Sequence, residues 1–463
     1  MNRSNVVRVF SIAFVLAMTL AFSSGIVAQS KNDIKRAKAL AEQGDKAFNA
    51  KNYRAAADLY GQAATIVPTN PYCHFWKGYS HYYLKEYEAS EREYVLALTQ
   101  GYKPIDLYKV RWLLFAEQKR YDEAIADLKK ALDLEPRNLY LLKALGDAQF
   151  LRGGYAEAQE AYQRALLIAP KDGDLYYSIA SVHSKTGNIK DQGTSADEAI
   201  KRGTQYVGDA YYLLADSLDR QKNVAGAIDA YQRTISAKPG LYQPYLSLAS
   251  LYQKQNKMAL AIETLKKGLI VFPSDGTLYT NISWYYSLAD RPADAVQAAL
   301  SATKILPDQY MGFTNLCRAY NETTQYKEAM AACNNALRLQ PNDGETLFYR
   351  GRANDKLKKT ADATADYRRA VTGLAQFTKN NPEDSDGFYL LGNAYFADSQ
   401  IDRAIEAYTR CLQLNSSFVK ARFNLGYMLV LKKDKAGAMT QYSFLLAQDT
   451  ALAGKLKAEI DKL

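Results

Sequence analysis

The sequence predicts an all-α solenoid, about twelve helix hairpins followed by a C-terminal cap helix. Three observations carry this prediction. A small residue recurs every 34 positions at Ala56, Ser90, Ala124 and Ala158; after one added residue the series resumes at Ala227, Ala261, Ala295, Ala329 and Ala363, and after seven more it ends at Ala404 and Ala438. Proline echoes the period at Pro68, Pro136, Pro170, Pro239, Pro273, Pro307 and Pro341. In the cleanest period, Leu139 to Asp172, the apolar residues fall at helical spacing in two runs split by Gly153-Gly154. A small residue and a helix-terminating residue at fixed offsets describe one supersecondary unit stacked many times. Such a stack grows in one dimension, so 463 residues need no division into conventional globular cores.

Taken in chain order, residues 1–28 stand outside the array. Arg3 and Arg8 precede the uncharged apolar run Val9–Phe22, and small residues lead to Ala28. This is the pattern of a secretory signal peptide cleaved after Ala28, with Gly25 as the second choice. The apolar run is too short for a bilayer, which takes about 20 residues to cross. A lead at 29–36 then enters the repeat array at 37–452.

The unit Leu139–Asp172 shows how each hairpin is built. Leu142, Leu145, Gly146 and Ala148 share one side of a first helix. Tyr155, Ala158, Tyr162 and Ala165 supply the buried side of a second, and Pro170 closes it. Gly146 and Ala158 are small because two antiparallel helices approach most closely there. Glycine recurs at the eighth position as Gly44, Gly78, Gly146, Gly351, Gly392 and Gly426. Tyrosine recurs at the twenty-fourth as Tyr60, Tyr94, Tyr162, Tyr231, Tyr367, Tyr408 and Tyr442.

Two repeats depart from the pattern. In 173–207, Gln192 takes the place of the small residue, and Gly193 and Gly203 weaken the second helix, which predicts a longer loop and a displaced helix. The repeat at 344–384 is seven residues longer and stays helix-compatible, which predicts a second helix extended by nearly two turns. The final segment, 453–463, reads as an amphipathic cap.

The pattern resembles the tetratricopeptide repeat over roughly nine-tenths of the chain. The resemblance implies a right-handed superhelix whose first helices line a concave groove with their second, fifth, ninth and twelfth positions. Those positions carry Tyr72, Phe75, Tyr79 and Tyr82 near the N-terminus, then Tyr212, Trp284, Arg318, Arg352, Tyr389, Phe423 and Tyr427. Tyr79 and Tyr82 are expected to anchor a peptide, unless they pack against the helix expected over Asp33–Phe48. Some relatives hold a C-terminal carboxylate with a Lys/Asn clamp. Asn393, Lys420 and Asn424 match pieces of it, but Tyr389 stands where its first lysine belongs, so no clamp is expected.

Catalysis has little to stand on. The only histidines are His74, His81 and His183. The first two lie on one side of a helix beside Cys73, but both take packing positions, so no metal and no cofactor is expected. No nucleophile–base grouping or phosphate-cradling glycine loop is present. The formal net charge of +10 falls to +8 without Arg3 and Arg8. Its basic residues are scattered rather than clustered, which argues against nucleic acid. Cys317 and Cys333 occupy facing positions of one hairpin and could form a disulfide, which export would permit. The expected function is a non-catalytic interaction scaffold of the cell envelope, periplasmic or secreted, that binds a peptide or partner helix in its groove. Self-assembly into a coat and glycan binding in polysaccharide export are the alternatives.

Overall fold

The computed structural model describes residues 29–463, and the regular structure among them consists of twenty-five helices without a strand. The expected signal segment, 1–28, lies outside the described residues. The described residues divide into two compact units, one ending at Ser217 and the other spanning Leu218–Leu463. In the first, α1 (Lys31–Asn49) pairs with α2 (Tyr53–Ile66), and α3 (Pro71–Tyr83) with α4 (Tyr87–Thr99). Next come α5 (Pro104–Glu117) with α6 (Tyr121–Leu134), α7 (Leu139–Arg152) with α8 (Tyr155–Leu166), and α9 (Gly173–Thr186) with α10 (Ile189–Lys201). The division falls within α11 (Val207–Arg220).

The second unit continues with α12 (Val224–Ala237), then pairs α13 (Gln243–Lys254) with α14 (Met258–Val271) and α15 (Gly276–Leu288) with α16 (Pro292–Ile305). It proceeds through α17 (Tyr310–Glu322) with α18 (Tyr326–Leu339), and α19 (Gly344–Lys356) with α20 (Thr360–Asn380). The last pairs are α21 (Ser385–Ala397) with α22 (Ile401–Leu414) and α23 (Val419–Leu431) with α24 (Lys435–Leu446), before α25 (Thr450–Ile460).

Three local devices recur among the hairpins. At position eight, a Cβ on Gly146 would stand 2.3 Å from Cε1 of Tyr162, so the ring of one helix lies on the bare backbone of the other. That ring is buried, and its hydroxyl donates to Asp147 at 2.7 Å. Burying the tyrosine therefore leaves no polar atom unmet. At the turn, the first helix ends on a left-handed residue. In the tenth repeat Lys358 has φ 63°, its N–H donates to Asp355 O at 3.0 Å, and Lys359 N–H donates to Asn354 O at 2.9 Å. This is the closure that satisfies the last carbonyls of a helix. Between repeats, an Asx residue two positions after the proline caps the next first helix. Asn138 accepts from Leu141 N, Asp275 from Leu278 N and Asp343 from Thr346 N.

The irregular repeat at 173–207 is more regular than its sequence suggests. Only Gly187 and Asn188 separate α9 from α10, so there is no long loop at the turn. Gln192 is fully buried, and its amide donates to Leu213 O at 2.8 Å and Asp216 at 2.9 Å. A polar side chain can fill the small-residue position because both partners lie within reach. The added residue is absorbed after α10, around Gly203 at φ 74°. In the tenth repeat α20 runs to 21 residues, against 14 for α18. Cys317 of α17 and Cys333 of α18 form a disulfide, with Cα atoms 5.1 Å apart, while Cys73 and Cys411 are free and buried.

Candidate functional site: a charged groove on the first helices of the second unit

In the second unit the first helices α15, α17, α19, α21 and α23 present one file of side chains to a common cavity of about 780 Å³. Trp284, Arg318, Arg352, Asn393 and Tyr427 all hold the ninth position of successive repeats. Tyr389 adds a fifth position, Lys420 a second and Phe396 a twelfth. A neighbouring cavity of about 880 Å³ shares Trp284, Arg318, Asp386 and Leu390 with the first. Its far wall is the extension of α20, including Leu374, Phe377 and Asn380. That wall depends on two glycines: a Cβ on Gly344 would lie 2.5 Å from Leu374 N, and one on Gly373 would lie 2.7 Å from Asn342 O. Side chains at either place would push α20 away from the start of α19.

Two contacts reach across residues some 130 apart in sequence. Lys420 Nζ donates to Asp290 at 2.8 Å, and Gln253 Nε2 donates to Asp386 at 3.5 Å. Groups four repeats apart are thus drawn together within the second unit.

Arg318 is the centre of the site. It is 2% exposed, its guanidinium lies 3.9 Å from the ring centroid of Trp284, and Nη2 pairs with Glu345. Its Nε and Nη1 atoms have no acceptor. Burial pulls its pKa down, opposed by the nearby Tyr349 and Glu322. Burial also raises the carboxyl of Glu322, against the attraction of Arg318. Asp386 is pushed up to about 6 by burial and by Asp384, again with Arg318 opposing. Burial raises the Tyr349 phenol to about 12.

The residues expected to line a groove divide into three groups. Trp284, Arg318, Arg352, Tyr389 and Tyr427 meet around the first cavity. Phe423 does not: it packs on the terminal cluster of Val430, Leu445 and Leu456. In the first unit Phe75 also belongs to the core, 4% exposed and stacked 4.2 Å from Tyr102. Its helix is turned so that this residue faces the following hairpin. Tyr79 packs against Phe48 of α1 at 5.3 Å and Tyr82 at 6.0 Å, with Tyr83 at 5.1 Å. Tyr72 is 37% exposed and donates to Asp45 at 2.8 Å, and Tyr212 is half-buried on α11. The fragments of a carboxylate clamp are occupied internally: Asn393 accepts from Tyr408 and Asn424, and Lys420 is bound to Asp290. His74 is held between Glu93 at 2.7 Å and Pro68 O at 3.0 Å. Among the described residues no group of three or more His, Cys, Asp or Glu is placed to hold a metal ion. Sequence reasoning missed Asp386 and Glu322, because their importance lies in burial, which no position of the repeat signals.

Paired helices stacked in file, with side chains gathered along their first helices, define a helical-repeat protein. Tetratricopeptide-repeat family models match residues 115–191, 177–242, 242–273 with 313–343, and 385–418. The chain is a multi-repeat tetratricopeptide protein. It is 26% identical over 170 residues to small glutamine-rich tetratricopeptide repeat-containing protein 2 of Mycosarcoma maydis, taking in 37% of this chain and 38% of that protein. It is 25% identical over 131 residues to tetratricopeptide repeat protein 37 of Xenopus laevis, 27% of this chain and 8% of that one. The matches therefore span less than half the length of these curated relatives. Among solved structures, the APC/C hetero-tetramer Cut9-Hcn1 aligns with 92% of this chain and 96% of its own at 15% identity and TM-score 0.39. MamA of Desulfovibrio magneticus RS-1 aligns with 38% of this chain and 96% of its own at 24% identity and TM-score 0.27.

Proposed function

We propose that the protein is an exported scaffold of the cell envelope that holds an extended segment of a partner in the groove of its second unit. The observation that carries this reading is the cavity of about 780 Å³, in which five first helices converge side chains from equivalent positions. A preformed surface of this kind limits the ordering cost of binding to that of the partner segment. Aromatic faces of Trp284, Phe348, Tyr389 and Phe396 offer contact area, and Arg352 stands half-buried in the lining without an ion pair. The Cys317–Cys333 disulfide supports an oxidising compartment, the environment in which such bonds persist. Among the described residues no helix is long and apolar enough to cross a membrane.

A photoreactive residue replacing Tyr427 in intact cells, followed by mass spectrometry of the captured species, tests the groove; the same residue at Tyr82 tests the aromatic cluster of the first unit. Capture of one envelope protein from Tyr427, lost on Trp284→Ala, is the expected result. Capture of only another copy of this chain from both positions would replace groove binding with self-assembly.

A further inference from the structure

We propose that the groove of the second unit takes a partner segment bearing a lysine or arginine side chain, whose cation is met by Asp386 and Glu322 while its backbone carbonyls accept from Arg318. This deepens the groove-binding reading and rests on it.

The chain as a whole is basic, with a formal net charge of +10, yet its cavities are not. The second cavity gathers Asp343, Glu345, Asp384 and Asp386 against Arg318 and Arg369, and Arg369 is turned away to Pro341 O at 2.8 Å. Most carboxylates in the two linings are already committed. Asp343 and Asp384 cap α19 and α21, Glu345 pairs with Arg318, Asp290 with Lys420, and Asp355 accepts from Tyr367 at 2.7 Å. Two are left without a cation at ion-pair distance: Asp386, in the wall common to both cavities, and Glu322, in the first. Asp386 has only the amide of Gln253, at 3.5 Å. Both carboxyls are pushed upward by burial, which outweighs the attraction of Arg318 on each and of Lys420 and Arg352 on Glu322.

The second, independent observation is Arg318. A guanidinium 2% exposed, with Nε and Nη1 unbonded, leaves two donors facing no acceptor in a place where each costs free energy. Glu345 already balances its charge, so neutral oxygens complete it better than a second carboxylate would. Peptide carbonyls are such oxygens, and an extended segment supplies them next to its side chains. Backbone and cation are thus recognised from adjacent walls. Arg352, a cation of the first lining without an ion pair, is the competing feature and would favour an acidic side chain.

The test uses the full chain and a synthetic library of nonapeptides, each with one fixed central residue (Lys, Arg, Gln, Glu or Asp) and uncharged residues randomised elsewhere. Captured peptides are sequenced, and helical content is measured for every variant. The inference expects Lys and Arg peptides to be enriched at least tenfold over Glu and Asp, with the preference abolished in Asp386→Asn/Glu322→Gln while capture of Gln peptides persists. A preference for Glu or Asp that is lost in Arg352→Gln would overturn it and leave groove binding intact. So would a basic preference that survives Asp386→Asn/Glu322→Gln. Failure of the natively helical protein to capture any peptide would overturn the groove reading as well.

Discussion

Asp386 shows what the groove costs at the level of a single side chain. Its carboxyl titrates near 6 rather than at its ordinary 3.8, because burial and the neighbouring Asp384 disfavour the charge more than Arg318 supports it. A raised folded-state value means a contribution to stability that is fully present below 3.8 and lost as pH rises through about 6. Above that point the native state holds a charge that water would accommodate better. Asp386→Asn removes the charge and keeps the shape, so it is expected to stabilise the protein at pH 8 by about 1–2 kcal/mol and to change little at pH 4. Denaturant unfolding at both values measures the difference. An equal effect at both would assign it to packing rather than to charge. A charge that weakens the fold at neutral pH is one that folding alone does not account for.

The helix hairpin was the most legible element, because its period is written in residue types that have few substitutes. Gly146 and Tyr162 could be read as a close approach, and the structure brings a Cβ at the first within 2.3 Å of the ring of the second. The turns were less legible. A left-handed residue is usually glycine, yet Lys51, Lys85, Lys119, Lys222, Lys358 and Lys433 all adopt it, so at these turns no glycine marks the spot. The expected loop in the fifth repeat failed for a related reason: the repeat pattern faulted Gln192 and propensity faulted Gly193 and Gly203, while tertiary hydrogen bonds to Leu213 and Asp216 decided the outcome. Of the groove residues, offsets within the repeat brought Trp284, Arg318, Arg352, Tyr389 and Tyr427 to one cavity. The same offsets misplaced Phe75 and Phe423, because a large apolar side chain follows the nearest core. The lysine turns give the element-scale expectation. Lys358 has φ 63°, a conformation that costs an L-residue about 1–2 kcal/mol and glycine almost nothing. Lys358→Gly should therefore raise the unfolding free energy by about 0.5 kcal/mol after the added chain entropy of glycine is deducted. The same exchange at Lys129, an exposed position in the interior of α6, should lower it by about 1 kcal/mol. Chemical denaturation of the two variants separates turn strain from a general effect of glycine.

Across the whole molecule, stability is assembled from contacts between neighbouring helices, so its ends are where it can be lost locally. Helix α25 closes the second unit by burying Ala453, Leu456 and Ile460 completely against Val430, Ala438 and Leu445. Gly426 has a part in this closure. A Cβ there would meet Leu456 at 2.5 Å, so the glycine of the last repeat seats the cap helix, where the glycines of earlier repeats seat the tyrosine of their own hairpin. Burying the Leu456 and Ile460 side chains is worth about 1.5–3 kcal/mol each, before the cost of ordering α25 is deducted. Deletion of residues 450–463 should therefore destabilise the α23–α24 hairpin by a few kcal/mol and leave the stack before it folded. Amide hydrogen exchange reads this directly: protection should fall in α23 and α24, with much smaller changes in α14 and α16, and total helical content should drop by little more than α25 itself. If protection instead fell equally along the whole second unit, its repeats would be unfolding as a single block, and nearest-neighbour stacking would not describe this protein.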